Sequence, residues 1–154
     1  MTDFQDLFEY NSWANSLVLA GVDELSDEEL TAPMDELGGS VIELLGHTAQ
    51  VEAAFLGLMT GATDRPSRET EYPRIRERLV ANSAGYLAAM PQLSERLSER
   101  FLVPWFKREF TIEQSLLQVA THSVQHRAGI CAGIARAGRE APGLDYIMWL
   151  NSNR

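Results

Sequence analysis

Apolar residues return at intervals of three and four through four long stretches of this 154-residue chain, and nowhere do they alternate strictly with polar ones. The recurring interval is that of an α-helix with one buried face, and the missing one is that of a half-buried strand. Amphipathic helices bury such stripes most simply against one another. The spacing therefore predicts an all-α fold, a four-helix bundle closed by a short C-terminal helical segment. With 45% hydrophobic residues, a chain of this length buries about 68–70% of its unfolded surface as one unit, so residues 1–154 are read as a single domain.

The first helix, about 3–22, opens with a capping box from Thr2 to Gln5 and carries Phe4, Leu7, Phe8, Asn11, Ala14 and Val18 on one face. A connector from Asp23 to Gly39 holds a capped turn led by Ser26, then Pro33 and Gly38-Gly39. Ser40 with Glu43 starts a second helix, about 41–59, whose stripe is Leu44, His47, Val51, Phe55 and Leu58. Pro73 suits the first position of a third helix, about 73–99, in which Leu79, Tyr86, Met90, Leu93 and Leu97 keep phase across Pro91, where a kink is expected. The stretch F-L-V-P-W-F-K-R-E-F reads as a connecting loop. Thr111 with Gln114 caps a fourth helix, about 112–136, with a stripe of Ile112, Leu116, Val119, His122, Ser123, His126 and Ile130. Gly138 suits its stop, and L-D-Y-I-M-W-L closes the chain.

Charge narrows the partners. Thirteen Lys and Arg against 22 Asp and Glu leave a formal charge of −9, whose field repels phosphate backbones and anionic lipid surfaces. The basic residues fall in small groups flanked by Glu, as at Arg74, Arg76 and Arg78 or Lys107 and Arg108, and read as a solvated surface. Neither nucleic acid nor membrane is an expected partner. The acidic start M-T-D-F-Q-D and the lack of an apolar run near the roughly 18–20 residues of a membrane span point to a cytoplasmic protein. A single cysteine, Cys131, rules out an internal disulfide and a cysteine-rich zinc site.

The informative fact is where the three histidines fall. His47 sits on the inward stripe of the second helix, and His122 and His126 share that of the fourth. Residues four apart on a helix stand about 5–6 Å apart at Cβ, so His122 and His126 can aim at one point and a facing helix can supply the third imidazole. A lone inward His is more often a hydrogen-bonded core residue, but a pair at this spacing together with an inward third favours metal ligation. Three imidazoles at about 2.0–2.1 Å leave a tetrahedral position open, the arrangement of a catalytic zinc site. The run H-S-V-Q-H lacks the Glu that follows the first His in zinc proteases, one cysteine cannot serve a base-deaminase site, and there is no Walker or dinucleotide glycine motif.

Four stretches, F-E-Y-N-S-W-A-N, L-L-G-H-T-A-Q-V-E, H-S-V-Q-H-R-A-G-I and L-D-Y-I-M-W-L, taken in order and spacing, make the chain resemble the DinB/YfiT-like family of small four-helix metalloenzymes over nearly its full length. The resemblance implies a divalent ion, Ni or Zn, held by His47, His122 and His126, an up-down-down-up bundle and a homodimer. It also implies a thiol S-transferase that joins a low-molecular-weight thiol, such as bacillithiol or mycothiol, to an electrophilic substrate. Many relatives are known only as DNA-damage-inducible proteins. One departure stands out: the family's H-R-G-Q-I is His126-Arg127-Ala128-Gly129-Ile130 here, so the glutamine is absent.

Metal-bound imidazoles usually donate their other N–H to a carboxylate, carbonyl or water. Glu43, one turn before His47, and Asp145, folding back from the C-terminal segment, are the candidates, with a helix cap the alternative for Asp145. Asn11 and Asn15 either bond to neighbouring backbone or line the cavity. Glu52, about 140° around the helix from His47, reads as outward-facing or as a partner of Arg127. Trp13, Trp105, Tyr146 and Trp149 are packing residues or pocket walls, and Cys131 reads as a small buried residue. The alternatives to a transferase are a hydrolase using the same ion, with Glu43 or Asp145 as proton acceptor, and a non-catalytic stress protein that the ion only staples.

Overall fold

A computed structural model describes residues 3–153. In it the chain forms α1 (Phe4–Val22), α2 (Asp27–Thr31), a 3-10 turn (Asp35–Leu37), α3 (Val41–Met59), α4 (Tyr72–Glu95), β1 (Arg100–Val103), β2 (Arg108–Thr111), α5 (Ile112–Arg136) and α6 (Tyr146–Asn153). Local chemistry sets most of these limits. Ser26 and Glu29 reciprocate a capping box at α2, and Thr111 and Gln114 do so at α5. At α3 the Ser40 N–H and hydroxyl both donate to Glu43 Oε2 at 2.8 Å. Thr2 lies outside the described residues; Asp3 is the N-cap of α1, its carboxylate accepting from the Asp6 N–H. Pro91 lies inside α4, where its missing N–H leaves the Leu87 carbonyl without a helical donor, and the helix stops at Glu95, short of the expected 99.

The four long helices pack in a ring, α1 against α4 and α5, and α3 against the same two. Their directions follow from the residues that meet. Phe8 stacks on Tyr86, while Asp23 near the other end of α1 holds Tyr72 and Arg76, so α1 and α4 run antiparallel. Asn82 donates to the Ala49 carbonyl and Tyr86 to that of Glu52, so α3 and α4 run parallel. The bundle is thus up-down-down-up, with the long connector from Asp23 to Gly39 making the crossing between α1 and α3.

One sequence expectation fails between α4 and α5. Residues 101–110 are not a plain loop. They belong to a two-stranded antiparallel hairpin in which Arg100 faces Thr111 and Val103 faces Arg108. Val103 is fully buried and joins the core of Phe4, Phe8, Phe55 and Leu116. A second apolar cluster, with Val18, Leu44, Leu45, Ile75 and Ile134, fills the other end of the bundle. Each fully buried Leu, Ile or Phe contributes about 1.5–3 kcal/mol relative to exposure. Between the two clusters lies a polar layer, at the level of the histidines. Among the described residues no helix is long and apolar enough to cross a membrane.

Candidate metal centre

Helix α3 and helix α5 run antiparallel, which brings His47 level with His122 and His126. His47 Nε2 stands 3.0 Å from His122 Nε2, and His126 Nε2 stands 3.1 Å from the same atom. One nitrogen from each ring lies within 4.8 Å of the others, and all three side chains are half-buried. The three residues expected to converge do converge.

Hydrogen bonding alone does not satisfy this arrangement. A neutral imidazole has one N–H and one in-plane lone pair, so His122 Nε2 cannot serve two neighbouring ring nitrogens as both donor and acceptor. A cation could replace those contacts, since nitrogens 3.0–3.1 Å apart can each lie at about 2.0–2.1 Å from one shared point. The protonation state fits as well. Burial, with repulsion from the other two rings, lowers the His122 pKa to about 4. Burial also lowers His126, and burial together with His126, Arg68 and Arg65 lowers His47. The rings are therefore neutral near pH 7, the form in which an imidazole can ligate a metal.

The carboxylates expected beside the ligands are elsewhere. Glu43 is exposed and tied to Ser40, and those bonds hold its carboxyl below the usual range. Asp145 is exposed at the start of α6, where its backbone carbonyl accepts from Met148 and Trp149, so the helix-cap reading is the better one. It borders a cavity with Tyr10, Arg127 and Cys131 that contains none of the histidines. His122 Nδ1 is buried with no protein partner.

Asn11 is buried and faces inward, but its partners are Glu52 and Arg127 rather than a ligand ring. Glu52, read as outward-facing or as a partner of Arg127, is buried beneath the site and is linked to Arg127 through two asparagine amides. Its Oε1 accepts from Asn11 and Asn15 at 3.2 Å and from Ser123 at 2.8 Å, and its Oε2 accepts from Asn82 at 3.4 Å. Arg127 Nη1 donates to Asn11 Oδ1 at 2.6 Å and Asn15 Oδ1 at 2.8 Å, so two amides bridge a buried anion and a buried cation. The signal for this layer was present in Asn82, which shares the stripe of Leu79 and Tyr86 and needs a polar partner there.

Two cavities lie along α3 and α5, one of them bordered by a histidine of the triad. One, of about 330 Å³, is bordered by Glu36, Leu37, Leu44, Gln125, His126 and Gly129. Gly129, where the resembled family has glutamine, sits so close to α3 that a Cβ would lie 2.9 Å from Leu44 Cδ1. The other, of about 410 Å³, lies further along the same helix pair. Trp13, Tyr146 and Trp149 gather around Tyr10, whereas Trp105 alone packs on α3, edge-on to Phe55. Cys131 is half-buried and its thiol pKa is raised by burial, which makes it a poor nucleophile.

The sequence matches the DinB family over residues 1–153. The chain belongs to the DinB family. Protein DinB of Bacillus subtilis (strain 168) is 24% identical over 176 residues, spanning 97% of this chain and 95% of that protein. A DinB-like protein from Bacillus cereus ATCC 10987, known from a crystal structure, superposes with a TM-score of 0.70 at 17% identity, over 91% of this chain and 94% of that one. At that identity the likeness speaks for a common bundle. In this DinB family chain the three imidazoles form a group that could hold a metal ion.

Proposed function

We propose that this protein is a metal-dependent transferase that joins a low-molecular-weight thiol to an electrophile at His47, His122 and His126. The observation that carries the reading is the meeting of three half-buried imidazoles, one nitrogen of each within 4.8 Å of the others. A divalent ion, Ni or Zn, would be held by the three Nε2 atoms and would supply Lewis acidity that favours the thiolate form of a thiol.

Magnitudes favour a thiol over water as the nucleophile. A free thiol titrates near 8.5, so ionising it at pH 7 asks for roughly 1.5 pKa units, about 2 kcal/mol. Water, near 15.7, asks for several times more and commonly needs a base as well. Glu43 and Asp145, the expected bases of a hydrolase, are held elsewhere. The chain's own contribution is positive potential and a neutral ligand set: Arg65 and Arg68 lie near enough to His47 to lower its pKa, and the same field favours an anionic sulfur. In the reaction a sulfur–carbon bond forms as the electrophile's bond to its leaving group breaks, and the thiol proton passes to solvent.

The test incubates Ni- or Zn-loaded protein with bacillithiol, mycothiol, glutathione or cysteine and an alkyl halide, and measures thioether by mass spectrometry. A metal-dependent rate with at least one thiol, absent in His126→Ala, is the expected result. No metal-dependent gain with any of the four overturns the reading.

A further inference from the structure

The larger cavity, further along α5 from the triad, has a chemistry of its own. It is bordered by Phe55, Phe106, Phe110, Gln114, Ser115 and Gln118: three phenyl rings and three uncharged polar side chains. Its volume of about 410 Å³ falls in the range of about 300–1,000 Å³ common for small-molecule sites. Its place follows from helix register. Gln118 lies one turn from His122, about 6 Å along α5, and Phe55 lies eight residues, about 12 Å, beyond His47 on α3.

The hairpin makes the aromatic wall. Phe55 meets Trp105 at 5.8 Å, Trp105 meets Phe106 at 6.2 Å, and Phe106 meets Phe110 at 6.0 Å, each ring tilted or edge-on to the next. Phe106 is 61% exposed although it is a large apolar side chain. Its position comes from the turn at 104–107, where the Phe106 N–H donates to Val103 and Lys107 adopts a left-handed φ of 52°. The nearby cations are engaged on rings, Arg65 over Trp105 and Arg108 over Phe110. Among the polar lining groups, Ser115 donates to the Thr111 carbonyl and Gln114 Oε1 accepts from the Thr111 N–H. The Gln118 amide has no hydrogen-bond partner among the described residues.

We propose that this cavity, walled by Phe55, Phe106 and Phe110 and reaching Gln118 one turn from His122, binds the flat, uncharged, apolar part of the electrophilic substrate, with the Gln118 amide meeting a polar substituent. Stacking and burial against the rings supply the affinity, and the lack of a charged wall residue disfavours the ionic thiol there. The assignment to a substrate rests on the transferase reading; the cavity's preference for a flat neutral molecule does not.

The experiment titrates N-phenyl-1-naphthylamine, an uncharged flat fluorophore, into the full chain with and without Ni²⁺. Saturable binding is expected, weakened about tenfold in Phe106→Ala, which removes roughly 1.4 kcal/mol of contact, and weakened similarly in Gln118→Glu. His126→Ala retains it. Both altered wall residues are exposed, and circular dichroism verifies that each variant is folded. Binding unaffected by either wall variant, or lost in His126→Ala, overturns the subsite. Bound Ni²⁺ should quench the fluorophore in the unaltered protein and not in His126→Ala. Normal binding without that quenching keeps the cavity as a site and overturns its link to the metal centre.

Discussion

The Ser123 hydroxyl donates to Glu52 Oε1 at 2.8 Å, one residue away from His122. Through this bond the helix that carries two of the imidazoles is tied to the helix that carries the third. Asn11 and Asn15 extend the tie to α1, and Asn82 extends it to α4. The carboxylate is 1% exposed, and its charge is balanced through the two asparagine amides by Arg127, 2% exposed. A charged layer placed between two apolar clusters fixes the depth at which the helices meet, and depth decides whether His47 lies level with His122.

Glu52→Ala therefore acts on stability and on the site together. It leaves the Arg127 charge buried without its balancing anion and removes the acceptor of Asn11, Asn15 and Ser123. Breaking a buried pair in this way costs about 3–5 kcal/mol, and a loss of this size should appear in urea unfolding at pH 7. Glu52→Gln retains the shape but lacks the charge, and should recover only part of the loss. A Glu52→Ala variant as stable as the parent would mean that the layer is solvated in solution.

The close approach of α5 to α3 gives a second prediction. A Cβ on Gly133 would stand 2.3 Å from Val41 Cγ2 and 3.1 Å from Met34 Sδ, closer than atoms pack. Gly133→Ala should destabilise by about 1–3 kcal/mol through overpacking, despite the helix propensity it gains. Thermal unfolding checks this, and a more stable variant would mean that the helices part easily at that point.

The long helices and the histidine trio were legible because a 3.6-residue period carries both, and because capping residues such as Ser40 and Thr111 mark the starts. Glu52 is only half legible: about 140° around α3 from His47, it lies off the histidine stripe, which leaves an outward position or a partnership with Arg127. In fact α3 packs against both α4 and α5, so its inward arc is wide enough to hold Leu45, Ala49 and Glu52 as well. Glu43 had the right phase for the site, but the capping box it makes with Ser40 claims its carboxylate. The hairpin escaped notice for another reason. Its strands are four residues each, too short for alternation to show, and its turn uses Lys107 at φ 52°, where Gly or Asn would have signalled it.

Acid should weaken the metal-free bundle. The folded His122 pKa is about 4, against an ordinary value near 6.5, and His47 and His126 are also lowered. Above pH 6.5 both folded and unfolded chains hold neutral rings, and the stability is fully present. As the pH falls from 6.5 toward 4 the unfolded chain takes up protons that the folded one excludes, so stability declines. Because the rings are partly open to solvent, the His122 contribution is on the order of 1 kcal/mol. Urea unfolding across this window, compared with His122→Gln, should show a shallower decline in the variant. Identical slopes would mean that the ring is protonated as readily in the fold as in water.

Removing the metal should be visible in stability as well as composition. An ion that binds only the folded chain adds about 2.7 kcal/mol when present at 100 times its Kd, which for about 150 residues is a rise in Tm of roughly 5–10 °C. Chelation should reverse the rise, and Ni²⁺ or Zn²⁺ should restore it. In His122→Ala, which lacks the nitrogen that stands 3.0 and 3.1 Å from its two neighbours, neither addition nor chelation should move the transition. Elemental analysis after purification without added metal provides the independent check: equal metal content in parent and variant would show that the ion, if any, is held somewhere other than between α3 and α5.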